Sequence, residues 1–509
     1  MAPKQDEYDF VVVGGGTAGL AVAARLTENP DISVLVLEAG SNALQDPRIA
    51  VPAMWSAILG TELDWDFLTT PRENLNGRQI GQPQGRLLGG SSGLNAEVFV
   101  PPSAEDFNEW EALGNRGWGW DSLGPYFRKF HTLVPPGAKL REHVGISRID
   151  DKVTASSGPV QASFTDSPEN PLGKAWAEAF ERLGGGTRSY SASAYYAPAS
   201  QRPNLDVSTG ANAREIVLEG STARAVVFTG KDGEHQVKAK REVILAAGAF
   251  QTPKLLELSG IGDKSLLQRL GITCKVDNPG VGENLQDHLM TGSTTPDPLA
   301  SGALMSYAFT PILAGTIEKL DAGAQKSLEQ AIEDLQHKQR PFHIGQPALR
   351  GRAKTESTGA LFALPVQVNL HNGPKQIGMT TDPVQGNYLS IGAALVHPLS
   401  RGSSHNTSAD PHPFDIEVYA RHLMAVEALA ATEPLAALLK PGGRRAQPGP
   451  HGARADTAER ARDYIRATAL SNNPPRGHVL HGAAGLRVYG ANTQTTVYAA
   501  AEKAADLIK

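Results

Sequence analysis

The sequence holds one cysteine, Cys274, in 509 residues. A single thiol excludes an intramolecular disulfide and any cluster of thiolate metal ligands, and no metal site is expected. There is no basic surplus either: 48 Lys and Arg stand against 53 Asp and Glu, a formal charge of −5. Such a chain has little with which to neutralise phosphates, so nucleic acid is not an expected partner. No apolar run approaches the ~18 residues that a membrane helix needs, so no membrane is expected as a partner. The first ten residues, MAPKQDEYDF, are charged and hold no apolar secretory core. A cytoplasmic location is the resulting expectation.

What is present fits a folded protein with a sizeable core. Hydrophobic residues make up 40% and charged residues 20%, ordinary values for globular domains. The length is about three times that of a typical domain, which predicts two domains or one large composite unit. Gly 53 and Pro 35 predict many turns and close backbone approaches.

The densest signal lies at the start. Asp9 to Val13 (DFVVV) reads as a buried strand, followed at once by Gly14-Gly15-Gly16-Thr17-Ala18-Gly19. Leu20 to Leu26 (LAVAARL) continues as a helix of small residues, and Ser33 to Leu37 (SVLVL) reads as a second strand ending on Glu38. Strand, G-x-G-x-x-G turn, helix, strand and terminal acid together make a dinucleotide-binding βαβ unit. Gly14 permits the tight turn, Gly16 lets the backbone approach a pyrophosphate, and Gly19 lets helix and strand pack closely. The helix N-terminus offers free N–H groups to the phosphates. Glu38 stands where an acid bonds ribose hydroxyls, which favours NAD or FAD over a 2′-phosphorylated cofactor. Glu242 to Phe250 (EVILAAGAF) reads as another buried strand.

Further segments carry a resemblance. GRLLGGSSGLN (85–95), GAFQTPKLLELSGIG (248–262) and NPGVGENLQDH (278–288) are similar to signature blocks of the glucose–methanol–choline (GMC) family of FAD-dependent oxidoreductases. DWDFLTTP (64–71), SAYYAPASQRPNL (193–205) and NTQTTVYAAAEKAADLIK (492–509) resemble family segments too, and among branches the chain looks most like fungal alcohol-oxidising and secondary-metabolism members. The resemblance implies an α/β chain (α+β overall), with a Rossmann-like FAD-binding domain and a second, substrate domain built on an antiparallel sheet flanked by helices. It implies a discontinuous FAD-binding domain at 1–295 and 465–509, and a substrate-binding domain at 296–464. Strands are expected at 359–370 and 388–396, and an amphipathic helix over 415–430. FAD would be held by Gly14, Gly16, Thr17, Ala18, Gly19, Glu38, Ala39, Trp65, Arg86, Gly89, Gly90, Ser91, Asn95, Ala96, Ala213, Ala247, Asn492 and Thr493.

The implied reaction is oxidation of a small-molecule alcohol at its CH–OH group. A histidine takes the hydroxyl proton, and a neighbouring His or Asn holds the oxygen. Imidazole suits the first task because its pKa lies near working pH. Here the sequence departs from the family. The stretch matching the base histidine reads Ser471-Asn472-Asn473-Pro474-Pro475-Arg476-Gly477-His478, with Pro474 at the histidine position. Compared with the family pattern, the segment from Gly485 to Asn492 also runs short. Asn492 fits the second active-site position, and His478 and His481 are the candidate substitute bases. His288, His397 and His405 match positions better explained by structure. An FAD-dependent alcohol oxidase or dehydrogenase, a flavin-containing non-redox enzyme of secondary metabolism (cyclase-like) and a non-catalytic paralogue all remain open. So do the substrate, the mode of FAD attachment and the oligomeric state.

Overall fold

A computed structural model describes residues 3–101, 103–112, 114–135, 138, 149, 154–163, 188–283, 285, 287, 289–296, 306–310, 359–364, 388–395, 403–405, 423–424, 457–468, 470–471 and 493–509. The architecture is α/β with two principal sheets, a Rossmann-type unit and a second, antiparallel unit.

The first sheet has six strands. They are β1 (Glu7–Val13), β2 (Val34–Glu38), β3 (Leu205–Thr209), β4 (Asn212–Glu219), β5 (Thr222–Gly230) and β6 (Gly233–Leu245), in the order β3-β2-β1-β6-β5-β4. The four strands β3, β2, β1 and β6 run parallel, while β6, β5 and β4 form an antiparallel meander. β1 and β2 are apolar on both faces because both faces are covered. Phe10, Val12, Val34 and Val36 point into one core with helix α1 (Thr17–Leu26). Val11, Val13, Leu35 and Leu37 point into a second core with Leu255 and Leu256 of helix α3 (Gly248–Leu258).

The expected strand over EVILAAGAF needs correction. β6 starts earlier and stops at Leu245, and Phe250 lies in α3. The glycine at 248, at φ +84°, turns the chain into the helix. Nor is β6 the buried strand expected there: Glu242 is exposed and Val243 to Leu245 are only half-buried, and the buried positions of β6, Val237 and Ala239, lie earlier, where charged and apolar residues alternate. Of the helix expected over 415–430, only Leu423 and Met424 are described; both are helical and Leu423 is buried.

The second sheet contains β7 (Leu289–Pro296), β8 (Ser306–Thr310), β9 (Gly359–Leu364), β10 (Tyr388–Leu395) and β11 (Leu470–Ser471), in the order β8-β9-β10-β7-β11. Every pairing in it is antiparallel. The rest of the strand expected to reach residue 370 lies outside the described residues.

The C-terminal helix α4 (Thr493–Ile508) returns to the first unit and packs on α1 and on helix α2 (Trp120–Phe130). Alanines make this approach possible: Ala21, Ala23 and Ala24 share a core with Ala499, Ala501 and Ala505. A buried charge locks it. Glu502 has no exposed side-chain surface, and Arg25 donates to it through Nε and Nη2, each at 2.8 Å. The Tyr195 hydroxyl donates at 2.8 Å, and Lys129 Nζ lies 3.2 Å away. Removing one partner of a buried pair strands the other charge, typically at about 3–5 kcal/mol. Glu502→Ala is therefore expected to lose stability of that order in urea unfolding. A loss under about 1 kcal/mol would place this carboxylate with ordinary surface pairs.

A second ionic joint fastens the segment after β10. His405 lies between two carboxylates, with Nδ1 2.5 Å from Glu257 Oε1 and Nε2 2.7 Å from Glu283 Oε1. The Ser404 N–H donates to the Gly282 carbonyl at 2.6 Å. Hydrogen bonding to Glu257 raises the imidazole pKa to about 9, with Glu283 adding to it and burial opposing. Because the folded value exceeds the ordinary one, the imidazolium contributes fully below about 6.5 and its contribution fades as pH rises through about 9. The stability gap between the parent and His405→Gln should therefore shrink across that window. Denaturant titrations at a series of pH values measure it, and a constant gap would show that the joint does not titrate.

Candidate functional site

β1 delivers the chain to Gly14, which sits at φ +101°. A Cβ there would lie 2.4 Å from the Ala246 carbonyl oxygen and 2.8 Å from Ala247 Cα. Gly19 is as constrained, since a Cβ on it would stand 2.0 Å from the Gly14 carbonyl oxygen. These two glycines let α1 start hard against the turn and the neighbouring strand end. Gly16 differs. Its backbone is extended (φ −88°), and a Cβ there would meet only Gly90 Cα, at 3.7 Å. The space before Gly16 is open to a ligand. α1 begins at this point with no side-chain cap and no acid in its first turn. The first-turn N–H groups, on Thr17, Ala18 and Gly19, have no intrahelical acceptor and suit an anion.

Glu38 closes one end of the cleft. It is 6% exposed, and its oxygens accept from the Gly15 and Gly40 N–H groups, each at 2.8 Å. Burial pushes its carboxyl up to about 7, while those two N–H groups and the nearby Arg86 charge pull the other way. Each oxygen retains a lone pair for a further donor. Ala39 follows half-buried. Ala213 lies further off, in β4 opposite Phe228 and against the second core; the link to Glu38 is the Ala211 N–H, which donates to the Glu38 carbonyl at 2.9 Å.

The opposite wall is the Gly89–Ala96 loop. The Gly89 N–H donates to the Gly15 carbonyl at 2.8 Å, which brings Gly90 over Gly16. Ser91 Oγ accepts from the Gly85 N–H at 3.2 Å. Ser191, absent from the sequence-based candidates, has its Oγ 3.0 Å from Ser92 Oγ and 3.3 Å from the Gly16 carbonyl. Beside this wall Arg86 lies over the Trp65 ring at 4.9 Å, and Trp65 stacks on Phe67. Asn95 and Ala96 are half-buried at the end of the loop, and Asn95 Nδ2 donates to Gln494 Oε1 at 2.5 Å. The loop thus meets the N-terminus of α4, which opens at Thr493. Ala247 caps α3 next to Gly14. Asn492, His478, His481 and Pro474 lie outside the described residues.

Comparison with known proteins identifies the family to which the chain is similar. The profile described as GMC oxidoreductase matches residues 8–290. A dehydrogenase of Monascus ruber, citC, is 32% identical over an alignment covering 99% of this chain and 96% of that protein. That alignment has 607 positions against 509 residues here, so the relative carries stretches with no counterpart in this chain. An oxygen-dependent choline dehydrogenase of Rhizobium johnstonii is 38% identical, over 56% of this chain and 53% of its own length. Among solved structures, an FAD-dependent oxidoreductase from Chaetomium thermophilum superposes with a TM-score of 0.72 at 26% identity, covering 99% of both chains. A formate oxidase of Aspergillus oryzae shares the fold, with a TM-score of 0.79 at 24% identity over 100% of this chain and 99% of that one.

An uncapped helix end, an open space at Gly16 and a buried carboxylate at the end of β2 fit FAD. They also separate two kinds of glycine. Gly19→Ala should fail to give soluble, cooperatively folding protein, because its methyl would enter the Gly14 carbonyl. Gly16→Val should fold with the circular dichroism and melting point of the parent, yet retain no FAD after gel filtration. A yellow, fully loaded Gly16→Val variant would show that the pyrophosphate lies elsewhere.

Proposed function

This chain belongs to the GMC oxidoreductase family, and we propose that it is an FAD-dependent oxidoreductase acting on the CH–OH group of a small alcohol. The uncapped N-terminus of α1 facing the open space at Gly16 is the observation that carries the FAD part of this reading. In it, Gly14 to Gly19 and Gly90 border the pyrophosphate, Glu38 takes the adenosine ribose, and Asn95 borders the flavin. We assign residues 1–295 and 465–509 to the FAD-binding domain and 296–464 to the substrate domain; β7, Pro296 excepted, and β11, strands of the second sheet, fall on the FAD side of those bounds. When bound, FAD supplies the acceptor for a hydride from the alcohol carbon.

The chain's own task is to place the alcohol and take its proton. Asn492, just before α4, holds the substrate oxygen, and its family position supports that role. His478 or His481 receives the hydroxyl proton on an imidazole nitrogen. Pro474 favours a second reading, because it stands at the family's base position and proline can accept no proton. It also fixes its own φ and restricts Asn473. On that reading the protein keeps FAD and performs non-redox chemistry, or none. The choline and Monascus relatives, both dehydrogenases by name, favour the first.

Loss of a general base costs roughly 10²–10⁴-fold in rate. The expected outcome is a loaded flavin that simple primary alcohols reduce slowly. Anaerobic stopped-flow with benzyl alcohol and short aliphatic alcohols measures this. Rapid bleaching by the parent, abolished in His478→Ala or His481→Ala, would identify the working base. Slow bleaching in both the parent and Pro474→His would favour the non-redox reading.

A further inference from the structure

Arg188 is a buried cation that the proposed chemistry leaves without a role. Its side chain has no exposed surface. Nε donates to the Ile49 carbonyl at 3.1 Å, and Nη1 donates to the Ser92 carbonyl at 3.1 Å and to Asn95 Oδ1 at 2.8 Å. Nη2 lies 3.2 Å from Glu97 Oε1, in a geometry that makes an ion pair but no hydrogen bond. Enclosing a guanidinium so completely, beside one half-buried carboxylate, is costly unless its donors are put to use.

Their most specific target is Asn95. A guanidinium only donates, so the amide can face it only through its oxygen. The Glu97 N–H reinforces this, donating to the same Oδ1 at 3.1 Å from a residue held at φ +60°. The amide is therefore fixed end for end, and Nδ2 must point away from Arg188. One Nδ2 hydrogen goes to Gln494 Oε1 at 2.5 Å. The second is left to donate elsewhere.

We propose that Arg188 is a positioning residue of the flavin site, fixing the Asn95 amide so that its remaining N–H faces an acceptor on the flavin ring. This rests on the reading above that FAD occupies the cleft with its ring beside Asn95. Without Arg188 the amide is free to turn its oxygen toward the ring. A carbonyl there disfavours the added electron density of reduced flavin, whereas an N–H favours it.

The test is a double-mutant cycle on the FAD-loaded full chain, read by the two-electron midpoint potential and the visible flavin spectrum. Arg188→Lys keeps a buried cation, but its single nitrogen cannot serve Ser92, Asn95 and Glu97 together. Asn95→Ala removes the amide. Both single variants should shift the potential downward, and the double variant should shift it no further than Asn95→Ala alone. An unchanged potential in Arg188→Lys overturns the proposal, as do additive shifts, which would mean that Arg188 acts on the flavin independently of Asn95. Loss of FAD from Arg188→Lys with retention in Asn95→Ala overturns it too, making Arg188 a structural support of the cleft. A parent that retains no FAD overturns the cofactor reading itself, and this proposal with it.

Discussion

The approach of α1 to the turn after β1 is the constraint on which the cleft depends. No side chain fits between Gly19 and the Gly14 carbonyl, or between Gly14 and the end of β6. Overfilling such a contact costs about 1–3 kcal/mol even where neighbours can yield, and here the neighbours are backbone. Because the contact is tight, the helix axis is fixed relative to the parallel strands. Its free N–H groups then aim at one place, the open face of Gly16. Glu38 extends this arrangement sideways. By accepting from both Gly15 and Gly40, its carboxylate joins the glycine turn to the end of β2. Burial resists the charge, and two N–H groups and a nearby arginine restore part of it.

The far end of the chain completes what the near end begins. α4 is held on α1 by small residues and by Glu502, buried among Arg25, Tyr195 and Lys129. That docking brings Gln494 to Asn95, and Arg188 reaches the same amide from a third part of the chain. One cleft is thus assembled from segments near residues 14, 38, 90, 188 and 494. A loosened α4 would disturb the loop facing Gly16 without touching the glycines themselves.

How much of this was legible follows from which atoms do the recognising. The βαβ unit was readable almost to its ends, because strand, glycine spacing and terminal acid are local patterns with local causes. The sequence pattern placed strands over 9–13 and 33–37, and the structure has them at Glu7–Val13 and Val34–Glu38. The misreading of 242–250 arose where Ala246 and Ala247 continue an apolar run that a glycine then bends into a helix. Ser191, Arg188 and Gln494 could not be found from spacing, since each meets the cleft through contacts 96 to 399 residues away in sequence. A buried arginine looks in sequence like any surface arginine, and only the fold shows that Ile49 and the stretch from Ser92 to Glu97 converge on it.

On the proposed reading, cofactor binding and turnover rest on different residues of this chain. Phosphates are held by backbone N–H groups, so their site leaves a mark in glycines, and that mark is complete here. Proton transfer depends on one side chain within hydrogen-bond reach of a hydroxyl, and on the proposed reading the family's position for it carries Pro474. An intact glycine pattern says nothing about that second requirement, because phosphate is held by backbone N–H groups and a proton is taken by a side chain. Among the described residues, the Asn95–Gln494 contact at the start of α4 ties the glycine loop to the C-terminal part of the chain. Asn492, which the proposed reading gives the substrate oxygen, stands two residues before Gln494 in sequence. A change there can alter how a substrate meets the ring while the pyrophosphate half of the cleft stays as it is.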